Sequence, residues 1–384
     1  MPIKLEMESF PTGKHREVKA YGKLKNDIQL INVPQYGFAC FFGGEDKKEL
    51  SVFTPDGVRL WQKQVKEEPA GYFLASGKDL YMVMRSKDNS ASVDYEVHSF
   101  GVPDSVVYPK YPVKDKKGHR LGVLAFENNP ATGKPYISGY IKSNRSSAHG
   151  ASPKGIAKGY YAGIYNCSID GHDKKDIKET FSYWDDESNP SISAKGYYRD
   201  KKVYADLMTS FKDYAGNTYF VGNSFVKRAR IGTIFFSLIT APLITPPIFI
   251  LALGGTSKAK LKDPILLKQD AKGVLTYETP VESKKGAFRR SAFPLSLSGY
   301  RAFSTVLNTN SKTHYLIVDD GENSSIYNVN SKKVVRKVPA KDGNATRKIL
   351  PAKEGYIMVS EYNKRKNLPG FLLKLYRQEL KATS

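Results

Sequence analysis

Residues 71–85, GYFLASGKDLYMVMR, contain two strand-like runs that are separated by the turn Gly77-Lys78-Asp79. Aromatic and branched aliphatic side chains favour β-strands, and Gly and Asp adopt the backbone angles that a tight hairpin turn needs. The same strand–turn–strand style continues along the 384 residues. No long stretch has the 3.6-residue periodicity of an amphipathic helix. The sequence therefore predicts an all-β protein.

Two patterns recur along the chain. Five runs open with Gly and an aromatic residue, beginning at Gly37, Gly71, Gly196, Gly299 and Gly355. In the second pattern an apolar strand, a polar turn and a more polar strand follow one another, with the turns centred on Asp56, Asp170, Asp270 and Asn330 and further candidate turns at Asp104 and Asp213. A repeat of roughly 40–60 residues with about four strands is typical of a β-propeller blade.

These repeats predict a single propeller-like domain over residues 1–384, with about seven degenerate four-stranded blades. The alternative is a pair of β-sandwich domains that are divided near the Gly, Ser and Lys-rich residues 143–159. An insert at 227–262 interrupts the repeats in either case.

The most unusual segment is IGTIFFSLITAPLITPPIFILALG, residues 231–254, which has no charged residue. Burying a large apolar side chain is worth roughly 1.5–3 kcal/mol, so lipid, a partner or the protein's own core must cover this segment. We predict membrane or partner contact for Ile231, Ile234, Phe235, Phe236, Leu238, Ile239, Leu243, Ile244, Ile248, Phe249, Ile250, Leu251 and Leu253.

Three prolines argue against a single helix that spans a membrane. Pro242, Pro246 and Pro247 interrupt the middle of the segment, where proline breaks helical hydrogen bonding. Basic residues flank both ends, so both ends favour the same side of a membrane. The pattern therefore predicts an apolar hairpin whose flanks contact an anionic surface through Lys227, Arg228, Arg230, Lys258, Lys260 and Lys262.

The overall charge also favours anionic partners. The chain has 60 Lys and Arg against 38 Asp and Glu, a formal net charge of +22, and such an excess attracts polyanions. The basic residues are scattered in small groups, as on an ordinary solvated surface. Because the sequence has no zinc finger, aromatic RNA-binding box or recognition helix, we do not expect sequence-specific nucleic-acid binding.

Few residues suggest a reaction. The six histidines have no metal-ligand spacing, and the two cysteines, Cys40 and Cys167, cannot define a disulfide framework. We therefore predict no cofactor, no metal site and no catalytic residue. The densest polar cluster is Trp184, Asp185, Asp186 and Glu187, which would bind a glycan or an ion or be a solvated turn.

The region 196–281 supports a resemblance. A tyrosine-rich strand pair, a proline-interrupted apolar insert, an Ile-Leu-Leu strand and an Asp-Ala-Lys-Gly turn follow one another there. This layout resembles an uncharacterised family of bacterial cell-envelope proteins with propeller-like repeats and a hydrophobic insert. The resemblance implies an exported, membrane-associated protein without an assigned activity. The first ten residues, MPIKLEMESF, contain no export signal, so a cytoplasmic location is the alternative.

Together these features favour a non-enzymatic binding or scaffold protein that attaches to an anionic membrane surface or a protein partner through residues 231–254. The alternative function is a carbohydrate-binding or polysaccharide-cleaving propeller enzyme that uses residues 184–187, with polysaccharide as its partner.

Overall fold

The computed structural model describes residues 3–9, 14–21, 24–44, 48–86, 94–115, 117–143, 153–229, 257–281, 303–343, 345–352, 355–364 and 371–380. Within these ranges the chain forms 27 β-strands, a five-residue helix α1 (Pro153–Ala157) and a short 3-10 helix (Lys174–Asp176). The prediction of an all-β protein is confirmed.

The strands form one two-stranded sheet and six larger sheets. The small sheet pairs β1 (Ile3–Ser9) with β2 (Lys14–Tyr21). Sheet 1 contains β3 (Leu24–Val33), β4 (Gly37–Gly44), β5 (Lys48–Phe53) and β6 (Arg59–Val65). Sheet 2 contains β7 (Glu68–Ser76), β8 (Asp79–Ser86), β9 (Asp94–Gly101) and β10 (Tyr111–Val113). Sheet 3 contains β11 (Leu121–Asn128), β12 (Pro135–Lys142), β13 (Tyr161–Ile169) and β14 (Ile177–Tyr183).

The other three sheets follow in the second half of the chain. Sheet 4 has five strands, β15 (Tyr197–Tyr198), β16 (Val203–Lys212), β17 (Thr218–Ala229), β18 (Ser257–Gln269) and β19 (Leu275–Glu278). Sheet 5 contains β20 (Phe303–Asn308), β21 (Thr313–Asp319), β22 (Asn323–Asn328) and β23 (Lys333–Pro339). Sheet 6 contains β24 (Lys341–Asp342), β25 (Ala345–Pro351), β26 (Tyr356–Lys364) and β27 (Phe371–Glu379).

Each sheet is a meander in which consecutive strands are neighbours. A four-stranded antiparallel meander is the unit of a propeller blade, whereas immunoglobulin-type sandwiches use Greek-key connections. The predicted propeller-like fold is therefore confirmed, with six sheets of four or five strands among the described residues where about seven blades were expected.

Most of the predicted turns have the same place in their sheets. The turns at Asp56, Asp104, Asp170, Asp270 and Asn330 each join the last two strands of a sheet, whereas Asp213 joins β16 to β17. The last strand lies at the edge, so it is partly exposed: β23 has no fully buried residue, whereas β22 beside it has five of six buried. This difference in burial explains the repeated change from an apolar to a polar strand.

Within each unit, hydrophobic clusters lie between neighbouring sheets. One cluster combines Phe41 and Leu50 of sheet 1 with Leu80 and Met82 of sheet 2. Equivalent clusters join sheet 4 to sheet 5 and sheet 5 to sheet 6. Sheet 5 contacts a neighbour on both faces, so its central strands β21 and β22 are buried on both faces rather than on alternate residues.

The chain divides into two compact units. Unit 1 comprises residues 1–144 and 165–181, and unit 2 comprises residues 145–164 and 182–384. Sheets 1 and 2 belong to unit 1, and sheets 4, 5 and 6 belong to unit 2. Among the described residues, no helix has both the length and the apolar character that crossing a membrane requires.

Candidate functional site

The predicted insert begins and ends on one β-hairpin of unit 2. Strands β17 and β18 pair antiparallel as far as Ala229 opposite Ser257. Residues 230–256, which include the predicted apolar hairpin at 231–254, lie outside the described residues. Because Ala229 and Ser257 are direct partners, the segment between them starts and finishes at neighbouring positions of the same sheet.

Five of the six predicted basic contact residues lie on this hairpin. Lys227 and Arg228 are on β17, and Lys258, Lys260 and Lys262 are on β18, whereas Arg230 lies outside the described residues. Arg228 is the direct partner of Lys258 in the ladder.

The acidic cluster lies in the turn that follows β14. Trp184 is buried with 4% of its surface exposed, and Asp185, Asp186 and Glu187 are exposed. An Oδ1 of Asp186 accepts a hydrogen bond from the backbone N–H of Ser188 at 3.0 Å, which closes an ordinary polar turn. Because Trp184 is buried, its indole ring is not an exposed platform for a sugar. The glycan or ion site at residues 184–187 stays a prediction.

The His, Cys, Asp and Glu side chains of the described residues form neither a metal site nor a reactive thiol site. Within the described ranges, no three His, Cys, Asp or Glu side chains come together closely enough to hold a metal ion. Neither cysteine forms a disulfide bond, and both are buried. Burial raises the pKa of the Cys40 thiol to about 12, so this thiol is protonated and unreactive at neutral pH.

Unit 1 contains a cavity of about 430 Å³, which is within the size range of small-molecule sites. Strand β9, the chain before β10 and the turn between β13 and β14 surround it, and its polar wall includes Ser99, His172 and Glu179. The hydroxyl of Tyr111 donates a hydrogen bond to Glu179. Burial raises the pKa of Tyr111 well above its usual value, so the phenol stays protonated.

His172 is the centre of a hydrogen-bonded chain in this wall. Its Nε2 lies 3.2 Å from Oδ2 of Asp79, and its Nδ1 lies 3.3 Å from Oγ of Ser99. The tautomer with the proton on Nε2 satisfies both contacts, because the carboxylate then accepts and the serine hydroxyl donates. The ring of Tyr108 stacks on the imidazole at a centroid distance of 3.4 Å.

Short turns position two of these side chains, those of Asp79 and His172, whereas Ser99 lies within β9. Asp79 starts β8 directly after the turn at Gly77 and Lys78, and the backbone N–H of Val102 donates to the carbonyl of Lys78 at 2.8 Å. His172 follows the turn at Asp170 and Gly171. The backbone N–H of Asp170 donates to the carbonyl of Asp176 at 2.9 Å, which closes that turn on the short helix.

The sequence did not predict this chain of contacts. The three residues come from different strands and turns, and 73 and 93 positions separate His172 from Ser99 and Asp79. The turns at Gly77 and Asp170 are visible in the sequence, but nothing local indicates that they approach each other.

No family model matches the chain, and no curated protein matches its sequence. Solved structures show a remote similarity to β-propeller proteins. The β-propeller domain of the Trilobed protease from Pyrococcus furiosus is 10% identical, with a TM-score of 0.42, over 99% of this chain and 87% of that one. Kluyveromyces lactis Hsv2 is 9% identical, with a TM-score of 0.40, over 98% and 92%. Similarity this remote assigns neither an activity nor a partner.

The fold and the sites thus define an all-β, propeller-like protein. It has a cavity in unit 1 and a basic hairpin in unit 2 that leads into an apolar segment.

Proposed function

We propose that this chain is a binding protein of the bacterial cell envelope that attaches to an anionic membrane surface through the β17–β18 hairpin and the apolar residues 231–254. The observation that carries the proposal is the pairing of Ala229 with Ser257. A segment that leaves and re-enters one hairpin has both ends on the same side of a membrane. Such a segment suits dipping into one leaflet better than crossing the bilayer.

The charges at the base of the segment support an anionic surface as the partner. Lys227 and Lys262 are exposed, and Arg228 and Lys258 are cross-strand partners. A basic residue near an anionic membrane contributes about 1 kcal/mol. Lipid phosphates at this position would be attracted by these basic residues while the apolar side chains enter the hydrocarbon.

The test is a deletion that keeps the ladder intact. Because Ala229 and Ser257 are direct partners, a two-residue Asn-Gly turn can replace residues 230–256 without changing the register. We expect the full chain to co-sediment with vesicles of phosphatidylglycerol and phosphatidylcholine, and the deletion variant to remain in the supernatant with unchanged β-sheet circular dichroism. Vesicle binding that survives the deletion contradicts the proposal.

Docking on protein is the competing outcome. In that case the full chain does not bind vesicles and forms a dimer or larger species in analytical ultracentrifugation, which the deletion converts to a monomer. That result would overturn the membrane proposal.

The envelope location rests on the resemblance of residues 196–281 and is tested by fractionating cells of the natural host. We expect the protein in the envelope membrane fraction, released by high salt together with detergent. Recovery in the cytosolic fraction contradicts this location.

A further inference from the structure

Ser99, His172 and Asp79 are arranged like the residues of a site that activates a serine nucleophile. A nucleophile, a base that accepts its proton and a carboxylate that orients the base are the three parts of such a site. Ser99, His172 and Asp79 correspond to these three parts in that order. Oγ of Ser99 lies 3.3 Å from Nδ1 of His172, and Oδ2 of Asp79 lies 3.2 Å from Nε2 of His172. Distances slightly longer than an ideal hydrogen bond are usual before a substrate is bound.

We propose that unit 1 contains an ester-hydrolysing site in which Ser99 is the nucleophile, His172 the general base and Asp79 the residue that orients the base. Ser99 and His172 line the 430 Å³ cavity, and Asp79 is outside its lining. The inference is independent of membrane attachment, and it would replace the sequence-based prediction of a non-enzymatic protein.

The surroundings hold the base in one orientation. Oδ1 of Asp79 accepts a hydrogen bond from the Tyr108 hydroxyl at 3.4 Å, so both carboxylate oxygens have donors. The imidazole lies nearly parallel to the ring of Tyr108, with an interplanar angle of 7°. An imidazole that is held on its edge and on one face keeps Nδ1 directed at Ser99.

The reaction follows from these positions. Oγ of Ser99 attacks the ester carbonyl carbon while its proton moves to Nδ1 of His172, and the carbonyl π electrons move to oxygen. The tetrahedral adduct then reforms the carbonyl and breaks the bond to the alkoxide, which takes the proton from Nδ1. Water attacks the acyl group on Ser99, again giving a proton to Nδ1. The carboxylic acid leaves as Oγ of Ser99 regains that proton.

The cavity lining suggests the class of ester. Its apolar part includes Val97, Ile169 and Ile177. Its charged residues balance, with Lys110, Lys114 and Lys174 against Asp115, Asp173 and Glu179. A cavity without net charge favours an uncharged carboxylic ester of small or medium size over an anionic phosphoester.

The experiment uses the full chain and a fluorophosphonate probe, which reacts only with an activated serine. We expect a covalent adduct that peptide mass spectrometry places on Ser99. Hydrolysis of p-nitrophenyl butyrate should fall about 100-fold or more in Ser99→Ala and in His172→Gln. The matched control is Ser76→Ala in the same sheet, because this buried hydroxyl donates to the carbonyl of Gly133 and not to His172. That variant should be labelled like the wild type.

A purely structural hydrogen-bond network gives a different result. The wild-type chain then remains unlabelled, and Ser99→Ala changes only the thermal unfolding temperature, which overturns the proposal. Labelling on a serine other than Ser99 also overturns it. If Ser99→Ala does not fold, the adduct site on the wild-type chain decides between the two outcomes.

Discussion

The indole N–H of Trp61 donates to the backbone carbonyl of Val102 at 2.6 Å, so the edge strand of sheet 1 is tied to the turn that follows β9 in sheet 2. Val102 is fully buried. An unpaired buried carbonyl costs about 1–3 kcal/mol. We therefore expect Trp61→Phe, which keeps an aromatic ring but removes the donor, to lower the free energy of unfolding by that amount.

Urea unfolding followed by far-UV circular dichroism measures this difference. The control is Leu60→Ala, because Leu60 is the preceding residue of the same strand and is 45% exposed. Its effect should stay within about 0.5 kcal/mol. Equal effects of the two substitutions would mean that the bond to Val102 contributes nothing.

Gly37 is the position in sheet 1 where only glycine fits. Its φ is +128°, and an added Cβ would lie 2.1 Å from the carbonyl oxygen of Phe53. We expect Gly37→Ala to lower the free energy of unfolding by about 3 kcal/mol or more, because both the backbone angle and the neighbouring strand oppose it.

Gly216→Ala, measured in the same unfolding assay, separates the cost of the backbone angle from the cost of the clash with the neighbouring strand. Gly216 has φ +86°, and nothing lies within 4 Å of an added Cβ. Its cost is the backbone strain alone, about 1–2 kcal/mol. A Gly37→Ala effect no larger than that of Gly216→Ala would show that sheet 1 shifts to accept the methyl group.

The sequence predicted the repeat well because edge strands and inner strands differ in burial. The apolar-to-polar change across Asp56, Asp170, Asp270 and Asn330 marks the last hairpin of a sheet, and the structure has it there. The glycine–aromatic pattern was less informative. Gly37, Gly71, Gly196 and Gly355 all have positive φ. Gly37 and Gly71 lie within β4 and β7, the second and first strands of their sheets, whereas Gly196 and Gly355 lie in the turns before β15 and β26.

Contacts between distant turns were beyond sequence reasoning. The approach of Asp79, Ser99 and His172 depends on how sheets 2 and 3 meet, which no local pattern encodes. Trp184 is a second case. The indole was expected beside three acids at a surface, but an added Cβ at Gly196 would lie 3.0 Å from its Nε1. The ring packs under the turn that precedes β15, so the missing side chain at Gly196 makes room for it.

His314 makes the stability of unit 2 depend on pH. The side chain is 2% exposed and contacts Phe211 at a centroid distance of 4.1 Å. Burial, only partly offset by the backbone of Lys212, lowers its pKa from 6.5 to about 3. The unfolded chain therefore binds a proton between pH 6.5 and 3 that the folded chain does not bind. Folding stability is intact above pH 6.5 and decreases as the pH falls, by about 1.4 kcal/mol per pH unit.

We expect His314→Phe to remove this part of the acid sensitivity. Between pH 8 and pH 5 the wild type should lose about 2 kcal/mol more of its free energy of unfolding than the variant, as measured by urea titration. Carboxylates titrate equally in both proteins, so the difference isolates His314. An identical pH dependence would show that the imidazole is hydrated in the folded protein.

The pairing of Arg228 with Lys258 predicts opposite effects of one substitution on stability and on membrane binding. Arg228→Glu places an acid opposite Lys258, and opposite charges across a ladder are worth about 0.2–1 kcal/mol. The variant should therefore be slightly more stable than the wild type. If the hairpin binds an anionic surface, the loss of one cation and the gain of one anion should weaken vesicle binding by ~2 kcal/mol, roughly 30-fold.

Lys337→Glu is the matched control, because it makes the same change of charge at an exposed position of β23, in another sheet. Binding of both variants is measured by co-sedimentation over a series of phosphatidylglycerol contents, and stability by thermal unfolding. An equal loss of binding in the two variants would mean that the overall charge of +22, rather than the β17–β18 hairpin, attracts the protein to the vesicles. A selective loss of binding in Arg228→Glu together with a raised unfolding temperature is the result that we expect if the β17–β18 hairpin binds the anionic surface.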